Sequence, residues 1–428
     1  MRYPLLSLFS SIFFAALLLS CQTPGSISRD YQRALETNHE LQNDDQTTLL
    51  ILVDGLSSAT LSTSLKNSNA PNLKSFFRLS KAGDVSFQLA RSSFPSLTYP
   101  NLTSILTASK VSEHGITGNR ILVDGKTVNF ENVLAWRTLD QLVEDHTVFH
   151  ELTKQNKTSI SYSYPFPRET TAHVEKTLQA GADYLDQRYT EIDTASITSL
   201  KRLLSETSSQ QWPRFIFLHL IGVDALEHQY GPENERVQTY MKSLDEQLGE
   251  VFEIVAAGSA DHETRTLLTA DHGFQRIDKG LDLTSIISKL GSEIRLVQDN
   301  RVASLYFPTA MPLAKRKEIA EGLLQIPELQ ATVLRMGKEL RVYARSDKAL
   351  TTDEDLLWPA LEDFFKAPNA PDLLLLPKAN IDFSGAYAGN HGGFTSEEML
   401  VPILSRGFKL PDTVFSTSDL LRLLKLMP

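Results

Sequence analysis

Three short apolar runs, each leading into an aspartate, constrain the fold of this chain most. The runs are TLLILV at 48–53, FIFLHLI at 215–221 and TLLTA at 266–270. None of them alternates apolar with polar residues, which is typical of strands buried on both faces of a parallel sheet. The aspartates that follow are Asp54, Asp224 and Asp271. Because sites in such sheets form beyond the carboxyl ends of the strands, the pattern predicts three carboxylates at one edge of one sheet.

Helical patterns lie between these runs. The clearest covers about 233–257, where apolar residues recur at helical spacing. Alternating strands and helices predict an α/β protein with a mostly parallel central sheet flanked by helices. The segment of about 280–370 breaks the alternation, so we expect a small α+β cap to be inserted there. A fourth apolar run at 373–376 follows the cap, and we assign it to the central sheet as its last strand.

Composition sets limits on the partners of the chain. It has 428 residues, 41% of them hydrophobic, which is enough for a large buried core. The formal net charge is −10 and is spread along the chain, which argues against binding a nucleic-acid polymer through a basic surface. A small anionic substrate stays compatible with this charge, because bound metal cations can dominate a site locally.

The amino-terminal residues indicate export. Residues 1–20 have a basic residue before an apolar run, which is typical of a secretory signal peptide. The following LLSC at 18–21 resembles the lipobox of bacterial lipoproteins, which implies cleavage before Cys21 and its lipidation. Gln22 in place of aspartate favours the outer membrane, so we expect a lipid-anchored protein that faces the periplasm. The polar residues 21–47 predict a flexible tether. An ordinary signal peptide is the alternative.

A candidate nucleophile lies in the segment 91–119. Thr98 stands just before a predicted helix start that includes Pro100, and Asn119 follows 21 residues later. A hydroxyl at such a place faces unpaired backbone N–H groups and the positive end of the helix dipole. It is therefore suited to hold an anion next to a nucleophile. Taken alone, a threonine in this position is more often a simple helix cap.

Acidic and histidine residues elsewhere have the composition of a metal site. They are Asp54, Asp224 with His228, Asp271 with His272, and His391 within GNHGG. Three carboxylates and three imidazoles suit zinc better than magnesium, and they are about enough for two zinc ions with open positions left. We assign His219, inside a predicted strand, to a structural role. The pair at 261–262 would lie at the opposite end of its strand, so we assign it to a turn.

The sequence resembles the alkaline phosphatase superfamily, in particular its nucleotide pyrophosphatase/phosphodiesterase branch. The resemblance rests on LLILVDG, FPSLTYPNLTSILTASKVSEHGITGN, VDALEHQYGP, TADHGF and GNHGG, and runs from about residue 49 to 406. It implies an alkaline phosphatase-like catalytic domain over 48–428 that holds two zinc ions, or other divalent metals. It places Asp54, Thr98, Asp271 and His272 around one ion, and Asp224, His228 and His391 around the other.

The resemblance also implies a mechanism. Thr98 would be the nucleophile of a covalent phosphothreonine intermediate, activated by zinc, and Asn119 would bind a phosphoryl oxygen. We therefore expect a zinc-dependent phosphodiesterase or nucleotide pyrophosphatase that acts on an anionic phosphate-ester small molecule. A phosphomonoesterase or phosphonate hydrolase, and a non-catalytic binding lipoprotein, are the alternatives. The chain has Leu102 where a histidine is common in this branch, so the resemblance does not identify the substrate. The leaving group could be a nucleotide, a glycerophosphodiester or a lipid headgroup.

Overall fold

The computed structural model describes most of the chain. It covers residues 26–41, 46–81, 84–85, 87–123, 125–132, 135–143, 146–163, 165–166, 168–173, 187–345 and 353–428. The expected signal peptide and Cys21 lie outside these residues, so their roles stay predictions. Within the described part, no helix has the length and apolar character needed to cross a bilayer.

The strands of the two large sheets occur throughout the chain. In order they are β1 (Gln46–Val53), β2 (Gln88–Arg91), β3 (Ser159–Tyr162), β4 (Ala172–His173), β5 (Phe215–Leu220), β6 (Glu263–Thr269), β7 (Arg295–Asp299), β8 (Val302–Tyr306), β9 (Leu329–Met336), β10 (Glu339–Ala344), β11 (Leu373–Pro377) and β12 (Leu400–Arg406). The central sheet has the order β2-β12-β6-β1-β5-β3-β4. The second sheet has the order β7-β8-β11-β9-β10.

The helices of nine or more residues in the described part cover the sheets. They are α1 (Ser26–Thr37), α2 (Ser58–Lys66), α3 (Thr98–Thr107), α4 (Tyr189–Glu206), α5 (Gly222–Tyr230), α6 (Glu235–Gly258), α7 (Leu313–Leu323) and α8 (Glu354–Lys366). Shorter helices are Pro71–Phe76, Val111–His114, Trp136–Leu142, Val148–Lys154, Thr284–Ile287, Ser396–Met399 and Leu420–Leu423. The apolar stripe that predicted a helix near 233–257 is the buried face of α6.

The centre of the first sheet is parallel. β1 pairs in parallel with β6 on one side and with β5 on the other, while β12 pairs antiparallel with β6. The predicted α/β class is therefore confirmed. In register, Leu52 of β1 lies opposite both Thr269 and His219, so the three strands end together. The residues that follow them meet at one edge of the sheet.

The run at 373–376 does not belong to the central sheet, and that prediction was wrong. It forms β11, which pairs antiparallel with β8 and β9 at the middle of the second sheet. All five residues of β11 are buried, which is why the run contains no polar alternation. An apolar run indicates burial on two faces but does not identify the sheet that a strand joins. The second sheet occupies 295–377, and the last strand of the central sheet is β12.

Part of the expected tether is folded. Helix α1 lies within 21–47 and packs against α4. Tyr31 is fully buried, and its hydroxyl donates to the carbonyl oxygen of Gln211 over 2.8 Å. The Ser28 hydroxyl donates to a carboxylate oxygen of Glu206 over 2.7 Å, at the carboxyl end of α4. The expectation of flexibility therefore fails for 26–37, because a few well-placed apolar residues are enough to dock a mostly polar helix.

Candidate active site

The three aspartates lie at the carboxyl edge of the central sheet. Asp54 follows β1 directly, Asp271 follows β6, and Asp224 lies in the first turn of α5, which follows β5. Gly55 allows this approach, because its φ is +72° and a Cβ there would lie 2.6 Å from the ring of Phe274 and 3.1 Å from Asp224. Because β1 and β6 are neighbouring parallel strands, Asp54 and Asp271 lie at the same sheet edge although they are more than 200 residues apart in sequence.

The His272 cluster is the first of two groups of converging side chains. His272 Nε2 lies 3.2 Å from Thr98 Oγ1, 3.3 Å from Asp54 Oδ1 and 3.4 Å from Asp271 Oδ2. On the other side of the ring, His272 Nδ1 lies 3.2 Å from the carbonyl oxygen of Gly273. We define the cluster as Thr98, Asp54, Asp271 and His272. These are the four residues that the resemblance placed around one metal ion, and the structure brings them together.

The His391 cluster is the second group and consists of Asp224, His228 and His391. The two histidine Nε2 atoms are 3.1 Å apart, and Asp224 Oδ1 lies 3.6 Å from that of His228 and 3.5 Å from that of His391. Asp224 and His228 are on successive turns of α5, so the i,i+4 spacing places both on one helix face. His391 follows the short strand Gly389–Asn390, which pairs with Gln275–Arg276.

Backbone carbonyl groups fix the tautomer of both histidines in the His391 cluster. His228 Nδ1 lies 3.1 Å from the carbonyl oxygen of Gly389, and His391 Nδ1 lies 2.9 Å from that of Ser96. A carbonyl oxygen can only accept, so each Nδ1 carries the proton and each Nε2 presents a lone pair. Two facing lone pairs repel each other unless a cation lies between them. This arrangement is typical of metal-binding histidines.

The electrostatics of the two clusters fit a pair of cations. Asp54 Oδ1, Asp224 Oδ1 and Asp271 Oδ2 are buried and have no hydrogen-bond partner. Buried charges of one sign are costly, and burial together with the nearby Asp54 raises the pKa of Asp224 well above its usual range. Burial, reinforced by the charge of His272, lowers the pKa of His228 to about 4, so its imidazole is neutral at neutral pH. The residues present therefore fit two divalent metal ions.

Asn119 is held against the start of α3, beside the residue that follows Thr98. The helix begins at Thr98 itself, not after it as the sequence suggested. The Tyr99 N–H donates to Asn119 Oδ1 over 3.1 Å, which fixes the amide with its NH₂ group as the available end. The helix start offers an anion fewer free backbone N–H groups than the sequence indicated, because the Tyr99 N–H is bound to Asn119 and Pro100 has no N–H. The Asn119 NH₂ group is the better candidate donor to a phosphoryl oxygen.

His219, which the sequence assigned to a structural role, lies directly beside a candidate metal ligand. Its Nε2 atom lies 2.9 Å from Asp54 Oδ2, so Asp54 faces His219 with one oxygen and His272 with the other. The position of His219 next to the last residue of β5 is the signal that could have found it. The pair at 261–262 does lie at the opposite end of the sheet, where His262 Nε2 is 2.8 Å from Thr47 Oγ1.

A cavity of about 470 Å³ opens over the two clusters. Both Thr98 and Asn119 line it, together with residues at the start of α4 and four tyrosines, which come from α3, β3, α4 and the loop before His391. The ring of Tyr387 lies 4.6 Å from that of His228, at the mouth of the cavity. Among the described residues that line the cavity, none is lysine or arginine. Glu131, which does line it, forms an ion pair with Arg120.

The family of the chain follows from a comparison with known sequences. Residues 48–398 match the model of the type I phosphodiesterase/nucleotide pyrophosphatase family, so the chain belongs to that family. An uncharacterised pyrophosphatase/phosphodiesterase of Schizosaccharomyces pombe is 23% identical over 187 residues. That match covers 42% of this chain, and the chain spans about a third, 36%, of the length of this curated relative.

Solved structures share the fold. A phosphonoacetate hydrolase from Sinorhizobium meliloti, in complex with phosphonoformate, has a TM-score of 0.63 at 16% identity over 90% of this chain and 96% of its own. Human ectonucleotide pyrophosphatase/phosphodiesterase 5 has a TM-score of 0.64 at 16% identity, covering 89% and 94%. An inactive variant of the murine protein in complex with AMP has a TM-score of 0.64 at 13% identity, covering 89% and 96%. All three support an alkaline phosphatase-like fold.

Proposed function

We propose that this chain is a metal-dependent phosphodiesterase in which Thr98 is the nucleophile. The observation that carries the proposal is the position of the Thr98 hydroxyl, 3.2 Å from His272 Nε2 within a cluster of buried carboxylates. Two divalent ions, zinc by the chemistry of the donors, would be held by the His272 and His391 clusters and would supply Lewis-acid activation and neutralise developing charge. Membership of the phosphodiesterase family supports the reaction class.

The chain's own residues divide the reaction between them. Thr98 Oγ1 forms a bond to phosphorus as the bond from phosphorus to the leaving alcohol breaks. The threonine proton passes to solvent, and the leaving alkoxide takes one up. Asn119 donates from its NH₂ group to a phosphoryl oxygen on which charge builds. A water molecule then cleaves the phosphothreonine and restores the Thr98 hydroxyl.

The charge around the cavity supports a diester rather than a monoester. A diester carries one negative charge at neutral pH, whereas a monoester carries close to two. The described lining includes Glu131 and Asp224 but neither lysine nor arginine. Apart from the metal ions, the described lining therefore offers little positive charge for the second charge of a monoester. The tyrosines and hydroxyl groups of the lining suit an uncharged leaving group.

Hydrolysis of paired model substrates tests this proposal. We would compare bis-p-nitrophenyl phosphate with p-nitrophenyl phosphate, in zinc and after chelation, using a chain that begins before Ser26 so that α1 stays intact. A zinc-dependent preference for the diester is expected. Preference for the monoester would keep the clusters but move the chain to the phosphatase alternative. A folded, zinc-loaded protein without activity on either would contradict the proposal and favour a binding protein.

We also propose that the protein is exported and held at the outer membrane, facing the periplasm, through a lipid on Cys21. The LLSC motif supports this. Helix α1 meets α4 at Glu206, while Tyr189 at the other end of α4 lines the cavity. An 18-residue helix is about 27 Å long, so an anchor near α1 would leave the cavity far from the lipid. Replacing Cys21 by serine should release the protein from the membrane fraction.

A further inference from the structure

The tip of one hairpin of the second sheet reaches into the active site. Strands β7 and β8 are joined by Asn300 and Arg301, and Asp299 is the last residue of β7. Neither Asp299 nor Arg301 is a candidate metal ligand, and both are buried. The tip lies between two loops of the site, one carrying Asn119 and the other carrying His391. Its contacts with both loops are polar and specific.

Asp299 holds the loop of Asn119 from behind. Its Oδ2 atom accepts the N–H of Arg120 over 2.8 Å, and the N–H of Asn119 faces the same carboxyl group. The side chain is 3% exposed, so these contacts are shielded from water. A Cβ at Gly118 would lie 2.8 Å from Asp299 Oδ2, which shows how closely the loop approaches the carboxylate. The backbone of Asn119 is thus fixed at this side, while Tyr99 fixes its side-chain oxygen.

Arg301 holds the loop of His391. Its backbone N–H donates to the carbonyl oxygen of His391 over 3.2 Å. Its Nε atom donates to Glu398 Oε1 over 2.8 Å, and neither side chain is exposed. The same Glu398 oxygen accepts the N–H of Gly393 over 2.8 Å. The residues on both sides of Gly392 are therefore tied to the hairpin.

We propose that Asp299 is a positioning residue that sets the place of the Asn119 amide relative to Thr98, and that the second sheet thereby takes part in catalysis. The proposal rests on the proposed function, since it concerns the group that would bind the phosphoryl oxygen. The backbone nitrogens of residues 119 and 120 are one and two bonds away from the Cα atom that carries the Asn119 side chain. Loss of the carboxylate frees that backbone, and displacements of about 1 Å at a reacting centre cost on the order of 100-fold in rate.

The test compares Asp299→Ala with Asp245→Ala in the metal-loaded, full folded domain. Asp245 is a matched control, because it is buried and accepts the N–H groups of Asn72 and Leu73 over 3.0 and 2.8 Å, outside the cavity. On the preferred diester, Asp299→Ala should lower kcat by about 100-fold with unchanged metal content, whereas Asp245→Ala should stay close to wild type. If Asp299 acts through Asn119, the same change in an Asn119→Ala background should lower kcat very little. The proposal would be overturned if the loss of kcat in the double variant equalled the product of the two single losses. Wild-type kcat in Asp299→Ala would overturn it as well.

A second readout does not need turnover. Amide hydrogen exchange of the peptide that contains Asn119 and Arg120 should be faster by about tenfold or more in Asp299→Ala and unchanged in Asp245→Ala. If the wild type hydrolyses no phosphate ester, the proposed function fails, yet the exchange still tests the positioning. Unchanged exchange would overturn it. If Asp299→Ala does not fold, Asp299→Asn replaces it, because this variant keeps one acceptor oxygen. We expect the same effects on kcat and on exchange, but smaller. Wild-type values of both in Asp299→Asn would count against the proposal.

Discussion

At the scale of single residues, the proposed role of Thr98 as a nucleophile depends on its neighbours more than on its own hydroxyl chemistry. A threonine hydroxyl is a weak nucleophile, and the helix start that it occupies would ordinarily need only a cap. Its 3.2 Å contact with His272 Nε2 brings it into a cluster with two buried carboxylates.

Thr98→Ala tests the nucleophile. We expect kcat on a diester to fall by about 10³-fold or more with metal content retained, because the remaining ligands of the His272 cluster are unchanged. Thr107→Ala is the control, since Thr107 lies in the same helix, is buried, and forms hydrogen bonds with the Thr103 carbonyl and the Ser109 hydroxyl, outside the two clusters. If Thr98→Ala retained more than a few per cent of wild-type activity, another group would have to attack phosphorus.

Asn119→Asp tests the phosphoryl contact. Aspartate keeps an oxygen toward the Tyr99 N–H but replaces the NH₂ donor with a second, negatively charged oxygen. Because a donor aimed at developing charge is typically worth about 3–4 kcal/mol, kcat should fall by about 10²–10³-fold or more. Steady-state kinetics with a diester measure this. An unchanged kcat with a raised KM would instead assign Asn119 to ground-state binding alone.

His391→Ala tests the metal ligands. The variant removes one of three ligands of the His391 cluster, so zinc content should fall from about two to about one per chain, with activity lost in parallel. Elemental analysis after dialysis measures the content. His262→Ala is the matched control, because His262 is also buried but lies at the opposite end of the sheet. Equal zinc content in the two variants would exclude a ligand role for His391.

At the scale of elements, helix α1 shows that a mostly polar segment can be folded when its few apolar residues pack against the domain. Its composition predicted a tether, but Ile27 and Tyr31 are on one side of it and both are buried. The helix packs the amino-terminal part of the described chain against α4 and β4. This contact is remote from the cavity, so its loss should affect stability and not chemistry.

Tyr31→Ala tests the docking of α1. Removing a buried aromatic side chain should lower the free energy of unfolding by about 3–5 kcal/mol, while kcat and KM of the folded protein stay unchanged. Denaturant unfolding measures the first and steady-state kinetics the second. Arg33→Ala, on the exposed side of α1, should leave stability within about 0.5 kcal/mol of wild type. Equal stability of the two variants would mean that α1 does not dock in solution.

At the scale of the whole molecule, the candidate ligands connect distant parts of the chain. They lie between Asp54 and His391 and follow β1, β5 and β6 or precede β12. An ion bound by residues so far apart in sequence binds the folded chain and not the unfolded one. Metal binding should therefore stabilise the whole fold.

Metal removal tests this linkage. At free zinc about 1,000 times the dissociation constant, the stabilisation should be about 4 kcal/mol per site, so chelation should lower the melting temperature by several degrees. Thermal unfolding with and without chelator measures the shift, which should be smaller in His391→Ala. Identical melting of the loaded and chelated wild type would contradict binding at the two clusters.

The sequence by itself determined the α/β class, the three strand ends that carry carboxylates, and the candidate ligands, because burial on both faces and the spacing of chemical groups are written in local patterns. Only the tertiary structure decided which sheet β11 joins, that α1 docks, that His219 faces Asp54, and that Asp299 lies behind Asn119. Each of these depends on which distant segment a residue meets. That choice is made by packing and by hydrogen bonds between parts of the chain far apart in sequence, and local pattern does not record it.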